Sequence, residues 1–555
     1  MSFQIPARGT FARNFFYGLC LALGLAAAPL WPAVGVAQQS KPAEQIQQPK
    51  PATAQPTPAQ AIAPEAQAVL DRISEDSLRG HLSFIASDAL EGRATPSRGQ
   101  EIAAEYIAAQ FRRAGLEAVG DDGYFQTANW AVLEGDPATF ELSLTGNGQA
   151  LGVNAAQVSY AGDQALEINA AKLFKLDYKD ADAVAALKPE QVSGQVVMAD
   201  IPDFRLQPRE QWAELSSKQN EFLSKVRALN PALIIALDRA NPTGRGLGSK
   251  RLIDPENRRQ GGPANAQMLT LHDARALKLF DALKAGESGA TVTLHLPASI
   301  ERPVKLRNVI GVLRGSDPVL KDSYVLVTGH YDHLGTSSQR CTPIGADTIC
   351  NGANDDGSGT VSVIELASAL ATLKQRPKRT LVFMTVFGEE SGLLGSRYYG
   401  RHPIFPIEKT IADVNLEHVG RTDDSEGDKR GTATLTGFDY TDVGPIFEKA
   451  GELTGIRVYK HPQNSDSFFG GSDNQALADQ GVPAHTLCVA FIFPDYHQAG
   501  DHWDKINYPN LAKTNRMVAL ALLTIADNTA EPKWNEANPK TERYVKAWKA
   551  RRGQQ

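Results

Sequence analysis

The stretch "YVLVTGHYDHLG", residues 324–335, is an apolar run that ends in His330 and Asp332. Helical stretches such as "VSVIELASALATLK" (361–374) alternate with the apolar runs that follow. Those runs are "TLVFMTVFG" (380–388), "TIADVNLEHVG" (410–420) and "PAHTLCVAF" (483–491). Alternation of this kind predicts an α/β fold with a mostly parallel central sheet flanked by helices.

Each apolar run leads into side chains that can bind a metal ion. Beyond the first run, these residues are Glu389, Glu390, Glu417 and His497. The carboxyl ends of strands in an open α/β sheet form the ligand crevice, so these side chains should converge. Imidazole and carboxylate groups are compatible with zinc, and crowded carboxylates need a cation to offset their repulsion.

The loop "NGANDDGSG" (351–359) sets two aspartates, Asp355 and Asp356, side by side. Its ordinary explanation is a turn, because Asn, Asp, Gly and Ser dominate turns. The loop lies between the first and second apolar runs, however, so it can carry Asp355 to the same crevice.

The other candidates also have ordinary explanations. His330 could be a hydrogen-bonded structural histidine, and Glu389 and Glu390 could lie in the first turn of a helix. Glu417 could end a strand in solvent, and His497 could belong to a surface loop. Five motifs with zinc-compatible groups, all at strand ends or in adjoining loops, favour a metal site over separate coincidences.

Together the motifs resemble the M28 family of dinuclear zinc aminopeptidases, in order and spacing as well as content. The motifs are "GHYDHLG", "GANDDGSG", "FGEESGLLGS", "NLEHVGR" and "DYHQAGDHWDKIN". Residues 81–116 are similar to the opening helices of secreted bacterial members, and residues 135–302 to the protease-associated (PA) domain that many members carry. The resemblance implies a zinc aminopeptidase-like fold with an inserted, β-rich PA-like domain.

The resemblance also implies two Zn²⁺ ions per chain and a ligand role for each motif. Asp355 would bridge both ions. His330 and Glu417 would complete one metal site, and Glu390 and His497 would complete the other. Glu417 stands where the family commonly has aspartate, and the longer glutamate still offers a hard oxygen ligand.

Three further residues have roles implied by the same resemblance. Asp332 would hold the His330 ring by its second nitrogen. Glu389 would be the general base that takes a proton from the attacking water. Tyr496 matches a tyrosine whose hydroxyl can polarise the scissile carbonyl, although aromatic packing beside the site explains it as well.

The family has a cis peptide just after its bridging aspartate, so we expect one between Asp355 and Asp356. A tight, glycine-rich loop would then be needed to aim the bridging carboxylate. Such a bond persists only where the surrounding structure enforces it.

The implied activity is a metal-dependent exopeptidase that removes the N-terminal residue of peptides. A carboxypeptidase or a glutaminyl cyclase on the same fold is the alternative. A carboxypeptidase would need an arginine to bind the substrate carboxylate, and the candidates near the motifs are Arg397 and Arg421. A non-catalytic binding protein is a further alternative, because related receptors keep the fold and lose the ligands. The presence of all five ligands and the base argues against it.

The N-terminus predicts export. Arg8 and Arg13 precede the apolar run "FFYGLCLALGLAAAPL" (15–30), which is typical of a signal peptide spanning residues 1–37 and cleaved after Ala37. We therefore expect a periplasmic or secreted protein without stable membrane insertion after cleavage. The formal net charge of −6 and the absence of a basic block argue against nucleic acid as a partner.

The remaining sequence predicts the domain boundaries. A Pro-, Ala- and Gln-rich linker spans 38–65, and the peptidase domain comprises 66–134 and 303–530 around the insert at 135–302. Residues 531–555 are expected to form a C-terminal helix and tail.

Three cysteines remain after cleavage: Cys341, Cys350 and Cys488. Cys341 and Cys350 are close enough in sequence to close a small loop in an oxidising compartment. Sequence alone leaves all three pairings possible.

Overall fold

The computed structural model describes residues 62–146, 148–160, 162–179, 181–202, 212–239, 246–257, 267–336 and 340–553. The predicted signal peptide and nearly all of the predicted linker lie outside these residues. The described residues all belong to one compact unit. Among the described residues, no helix combines the length and apolar character needed to cross a bilayer.

The strands are β1 (Glu117–Ala118), β2 (Phe125–Glu134), β3 (Glu141–Gly146), β4 (Gln149–Val153), β5 (Val158–Tyr160), β6 (Leu166–Leu176), β7 (Val196–Asp200), β8 (Leu233–Leu237), β9 (Lys250–Ile253), β10 (Gln267–Leu271), β11 (Gly286–Leu296), β12 (Ile300–Leu313), β13 (Tyr324–His330), β14 (Thr380–Val386), β15 (Thr410–Leu416), β16 (Asp423–Asp424), β17 (Gly427–Asp428), β18 (Thr432–Leu435), β19 (Arg457–Val458) and β20 (Ala484–Cys488).

The α-helices are α1 (Pro64–Leu70), α2 (Glu75–Ile85), α3 (Arg98–Arg113), α4 (Ala181–Ala186), α5 (Trp212–Ala228), α6 (Ala274–Ala282), α7 (Ser358–Leu370), α8 (Leu394–Arg401), α9 (Val443–Thr454), α10 (Asn464–Ser467), α11 (Asn474–Ala478), α12 (Tyr508–Asp527) and α13 (Glu542–Arg551).

The main sheet has the strand order β19-β18-β20-β15-β13-β14-β12-β2-β9, with β1 paired to β12. Its central strands β14, β13, β15 and β20 are parallel. Antiparallel strands extend the sheet on both sides. The predicted α/β fold with a parallel central sheet is confirmed, and every residue of β13, β14 and β15 is buried, as a sheet covered on both faces requires.

A second sheet, in the order β4-β3-β11-β6-β7-β8-β10-β5, is built from residues between 141 and 296. It therefore lies within the predicted insert and has a hydrophobic cluster of its own. Strand β9 also falls within 135–302 but pairs with β2 of the main sheet, where Leu252 lies opposite Val132 and packs against the main core. The PA-like assignment of the insert stays a prediction.

The C-terminal segment contains the expected helix, α13, but it also contributes to the core. Trp534 and Tyr544 are buried and stack with ring centroids 4.9 Å apart. Tyr544 also packs edge-on against Phe469, with 5.3 Å between centroids. Residues 531–553 are thus an integral part of the fold rather than a loose extension.

Candidate metal centre

The carboxyl ends of the central parallel strands bring the predicted ligands together. His330 is the last residue of β13, Glu390 follows β14, and Glu417 follows β15. Two groups of three residues each offer ligand atoms that all lie within 4.8 Å of one another. The groups are His330, Asp355 and Glu417, and His333, Asp355 and Glu390.

Asp355 belongs to both groups, and its carboxylate faces several imidazoles. Its Oδ1 lies 3.3 Å from Nε2 of His330, and its Oδ2 lies 3.2 Å from Nε2 of His497. Nε2 of His497 also lies 3.7 Å from Oε2 of Glu390. The arrangement suits the bridging role that the resemblance implies for Asp355.

Two further histidines at the site are not among the ligands that the motifs imply. Nδ1 of His333 lies 3.9 Å from Oδ2 of Asp355, and Nε2 of His418 lies 3.6 Å from the same oxygen. Both histidines could be found from the sequence, because His333 closes the "HYDH" of the first motif and His418 follows Glu417 in "LEHV".

The loop before α7 aims Asp355 through its backbone. The amides of Asn354 and Asp355 donate hydrogen bonds to Asp501 Oδ2 at 2.9 and 3.1 Å. The peptide bond between Asp355 and Asp356 is cis, as expected. Gly359 permits close approach to β15, because a Cβ at this position would lie 2.0 Å from the carbonyl oxygen of Leu416.

Unpaired polar atoms show that the site fits a metal. Buried side-chain atoms at the site with no hydrogen-bond partner among the described residues are His330 Nε2, His333 Nδ1 and Nε2, Glu390 Oε1, Glu417 Oε2 and His418 Nε2. Leaving a buried polar group unsatisfied costs about 1–3 kcal/mol, so such a cluster calls for a shared partner. Nitrogen and carboxylate oxygen donors of this kind match the preferences of zinc.

Glu389 lies beside the metal-binding groups without belonging to either. Its Oε2 is 4.0 Å from Nε2 of His330, and its backbone amide donates to Asp332 Oδ1 at 3.1 Å. Burial raises the pKa of the Glu389 carboxyl well above its usual range. This direction suits a group that must accept and return a proton near neutral pH.

Asp332 connects three segments around the site. Its Oδ2 accepts a hydrogen bond from the Thr95 hydroxyl at 2.9 Å, and its Oδ1 accepts the Glu389 amide. Nδ1 of His330 lies 3.2 Å from the carbonyl oxygen of Asp332 and 3.7 Å from its Oδ1. The backbone carbonyl oxygen of Asp332 is therefore nearer to the His330 ring than the carboxylate is.

A cavity of ≈ 90 Å³ adjoins the metal-binding groups. Glu417, His418 and Tyr496 form the side next to the site, and Phe468 and Phe491 form part of the apolar wall. The Tyr496 ring stacks on the His497 ring with 4.0 Å between centroids. Tyr496 thus borders both the metal-binding groups and the cavity.

The two arginines considered for a carboxypeptidase lie in different surroundings. Arg421 donates to Asp423 at 2.6 and 2.7 Å and to Asp495 at 2.9 Å. Its guanidinium is therefore already engaged by two carboxylates. Arg397 is exposed on α8.

Residues 308–522 match Peptidase family M28, and this part of the chain is a domain of that family. The match contains the residues of both metal-binding groups.

Curated relatives agree with this assignment. A probable zinc metalloprotease of Pyricularia oryzae is 29% identical over 245 residues, which are 43% of this chain and 42% of the relative. A probable zinc metalloprotease of Leptosphaeria maculans is 41% identical over 201 residues, which are 36% of this chain and 44% of the relative. The chain thus spans less than half the length of these relatives.

Among solved structures, the aminopeptidase from Aneurinibacillus sp. strain AM-1 is similar with a TM-score of 0.53 and 18% identity. The similarity covers 84% of this chain and 97% of that one. At this identity the comparison shows a shared zinc aminopeptidase-like fold.

Proposed function

We propose that the protein is a zinc-dependent aminopeptidase that hydrolyses the N-terminal residue from peptides at a two-metal centre. The observation that carries the proposal is the position of Asp355, which is shared by two groups of metal-binding side chains. One carboxylate between two ligand sets is what a pair of bridged ions requires.

The residues that would hold the ions are the five ligands that the motifs imply. His330 and Glu417 would hold one ion, Glu390 and His497 would hold the other, and Asp355 would contact both. When bound, zinc polarises the peptide carbonyl and lowers the pKa of water at the site.

The chain's own residues supply proton transfer and orientation. Glu389 would accept the proton of the attacking water and return it to the leaving amine. The Thr95 hydroxyl and the Glu389 amide orient Asp332, whose carbonyl holds the His330 ring. The Tyr496 hydroxyl would donate a hydrogen bond to the scissile carbonyl as negative charge develops on its oxygen.

The cavity beside the site supports exopeptidase action and a neutral first residue. Its volume of ≈ 90 Å³ suits one side chain of modest size, and its lining includes Glu417, whose carboxylate would favour a free ammonium group nearby. Among the described residues that line the cavity, none is lysine or arginine. A substrate carboxylate would find no cation there, which favours an aminopeptidase over a carboxypeptidase.

Hydrolysis of a substrate panel tests the function. The panel contains chromogenic amides of neutral, acidic and basic amino acids, their N-acetylated counterparts, C-terminal substrates and an N-terminal glutaminyl peptide. We expect turnover of free-amine substrates with a neutral first residue and at least tenfold less with N-acetylated ones. Cleavage of C-terminal substrates alone, or cyclisation of the glutaminyl peptide without amide hydrolysis, would overturn the proposal.

The cellular setting belongs to the same proposal. A periplasmic or secreted protein acting on peptide or protein N-termini is supported by the disulfide between Cys341 and Cys350, because disulfides persist in oxidising compartments. The acidic net charge supports neither nucleic acid nor an anionic membrane surface as a partner.

A further inference from the structure

His333 is a completely buried imidazole without the hydrogen bonds that burial demands. Its side chain is 0% exposed, and neither ring nitrogen has a hydrogen-bond partner among the described residues. Nδ1 nevertheless lies 2.7 Å from Oε1 of Glu390, which is itself unpaired. A ring nitrogen and a carboxylate oxygen that face each other, both buried and both without a hydrogen-bond partner, indicate that a third atom belongs beside them.

The surrounding backbone holds this ring in place. The His333 amide donates to the carbonyl oxygen of Arg93 at 3.3 Å. The Arg93 guanidinium in turn donates to the carbonyl oxygens of Asn351 and Gly352 at 2.7 and 3.0 Å. Gly352 leaves room for the ring, because a Cβ at this position would lie 2.4 Å from Cγ of His333. The loops that carry His333 and Asp355 are therefore joined through one buried arginine, and the imidazole is positioned before any ion binds.

We infer that His333 is a ligand of the metal ion held by Asp355 and Glu390, additional to the five ligands that the motifs imply. His497 approaches these carboxylates through a side chain that is 38% exposed, whereas His333 approaches from the interior. Two imidazoles and two carboxylates would supply four protein ligands at this position. Zinc commonly takes four protein ligands where it is held tightly, so His333 would add to the affinity of this position for the ion.

The inference rests on the proposed two-metal function, and it competes with a simpler role. His333 could donate a hydrogen bond to Glu390 and only orient that ligand. His333→Asn separates the two roles, because the asparagine amide nitrogen can still donate to a carboxylate but is a poor ligand for zinc. His485→Asn is the matched control, since His485 is equally buried but has both ring nitrogens bonded, to Thr441 and Thr436.

The experiment measures metal binding directly on the full chain. Zinc per chain is determined by elemental analysis after dialysis against a graded chelator, and Co²⁺ absorption reports the ligand set. We expect His333→Asn to bind one ion on the order of 10²-fold or more weakly than the wild type, because loss of a residue that only orients a ligand already lowers metal affinity by about 10–100-fold. Loss of a ligand should also change the cobalt spectrum. His485→Asn should retain wild-type zinc content and cobalt absorption.

Retention of both ions at wild-type affinity in His333→Asn would overturn the inference, and so would a weaker affinity with an unchanged cobalt spectrum. Unfolding of the chelator-treated proteins controls for damage to the fold, and His333→Gln replaces the asparagine variant if that one does not fold. A wild-type protein that binds one ion would defeat the two-metal function, yet loss of that ion in His333→Asn would still identify His333 as a ligand.

Discussion

The backbone amide of His330 donates a hydrogen bond to Oδ2 of Asp356 at 3.2 Å. Oδ1 of the same carboxylate accepts the amide of Gly359 at 2.9 Å. Asp356 therefore ties the end of β13 to the start of α7, while its neighbour Asp355 faces the metal-binding groups. The two adjacent aspartates thus have different surroundings: Asp355 lies among the candidate ligands, and Asp356 fixes the loop that positions Asp355.

Removal of the Asp356 carboxylate should weaken metal binding without removing a ligand. We expect Asp356→Ala to lower zinc affinity by about 10–100-fold, as loss of an outer hydrogen-bond partner typically does. Asp356→Asn keeps one acceptor oxygen and should have the smaller effect. Chelator competition measures both, and equal affinity of Asp356→Ala and the wild type would contradict the role of this carboxylate.

Metal removal should abolish activity reversibly. Purified protein should contain close to two zinc ions per chain, because the motifs supply a shared carboxylate and two further ligands for each ion. Dialysis against a chelator should eliminate hydrolysis, and added Zn²⁺ or Co²⁺ should restore it. Full activity in protein with negligible metal content would refute a metal-dependent mechanism.

Much of the central fold and of the site could be predicted because the signals are local. Buried parallel strands appear as apolar runs, and their carboxyl ends meet at one edge of the sheet, so the approximate positions of His330, Glu390 and Glu417 follow from the pattern. The pairing of β9 with β2 could not be predicted in this way, because it joins segments more than a hundred residues apart through a short antiparallel ladder.

The positions of the other histidines depend on backbone geometry that the sequence pattern does not encode. His418 and His497 both have positive φ angles, of 54° and 58°. Residues other than glycine rarely adopt this conformation, and it redirects the side chain relative to an extended strand end. The sequence pattern does not single out His333, because His330 and Asp332 already account for its motif.

The disulfide should support the loop that carries His497. Cys341 and Cys350 are bonded, which confirms the expected pairing. Between them, Thr342 donates its amide to the carbonyl oxygen of His497 at 3.2 Å and accepts the amide of Ala499 at 2.9 Å. We expect a Cys341→Ser/Cys350→Ser variant to lose about 2–3 kcal/mol of unfolding free energy and to bind zinc more weakly.

Denaturant unfolding and chelator competition measure these two effects. A reducing agent should bring the wild type to the level of the double variant and leave the variant unchanged. Unaltered zinc affinity in the double variant would show that the His497 loop keeps its position without the bond.

His485 should make the fold sensitive to acid. Burial lowers the pKa of its imidazole from 6.5 to about 4. The unfolded chain therefore binds this proton more readily than the folded one. The contribution of the neutral His485 to the free energy of unfolding is complete above about pH 6.5. It is lost as pH falls toward 4, by up to about 1.4 kcal/mol per pH unit. His485→Asn should be less stable at pH 7 but lose less between pH 7 and 5 in urea unfolding; equal losses would contradict the assignment.

Substitutions of Glu389 and Glu390 should have different effects when turnover and metal content are measured on the same samples. Glu389 lies beside the metal-binding groups, whereas Glu390 belongs to one of them. Glu389→Gln keeps size and hydrogen bonding but removes the basic oxygen, and loss of a general base typically lowers the rate by about 10²–10⁴-fold. Glu390→Gln replaces a carboxylate with a neutral amide, which is a much poorer zinc ligand. We therefore expect Glu389→Gln to retain zinc and lose most of kcat, and Glu390→Gln to lose both zinc and activity. Loss of zinc or a near-normal kcat in Glu389→Gln would contradict the roles assigned to these two residues.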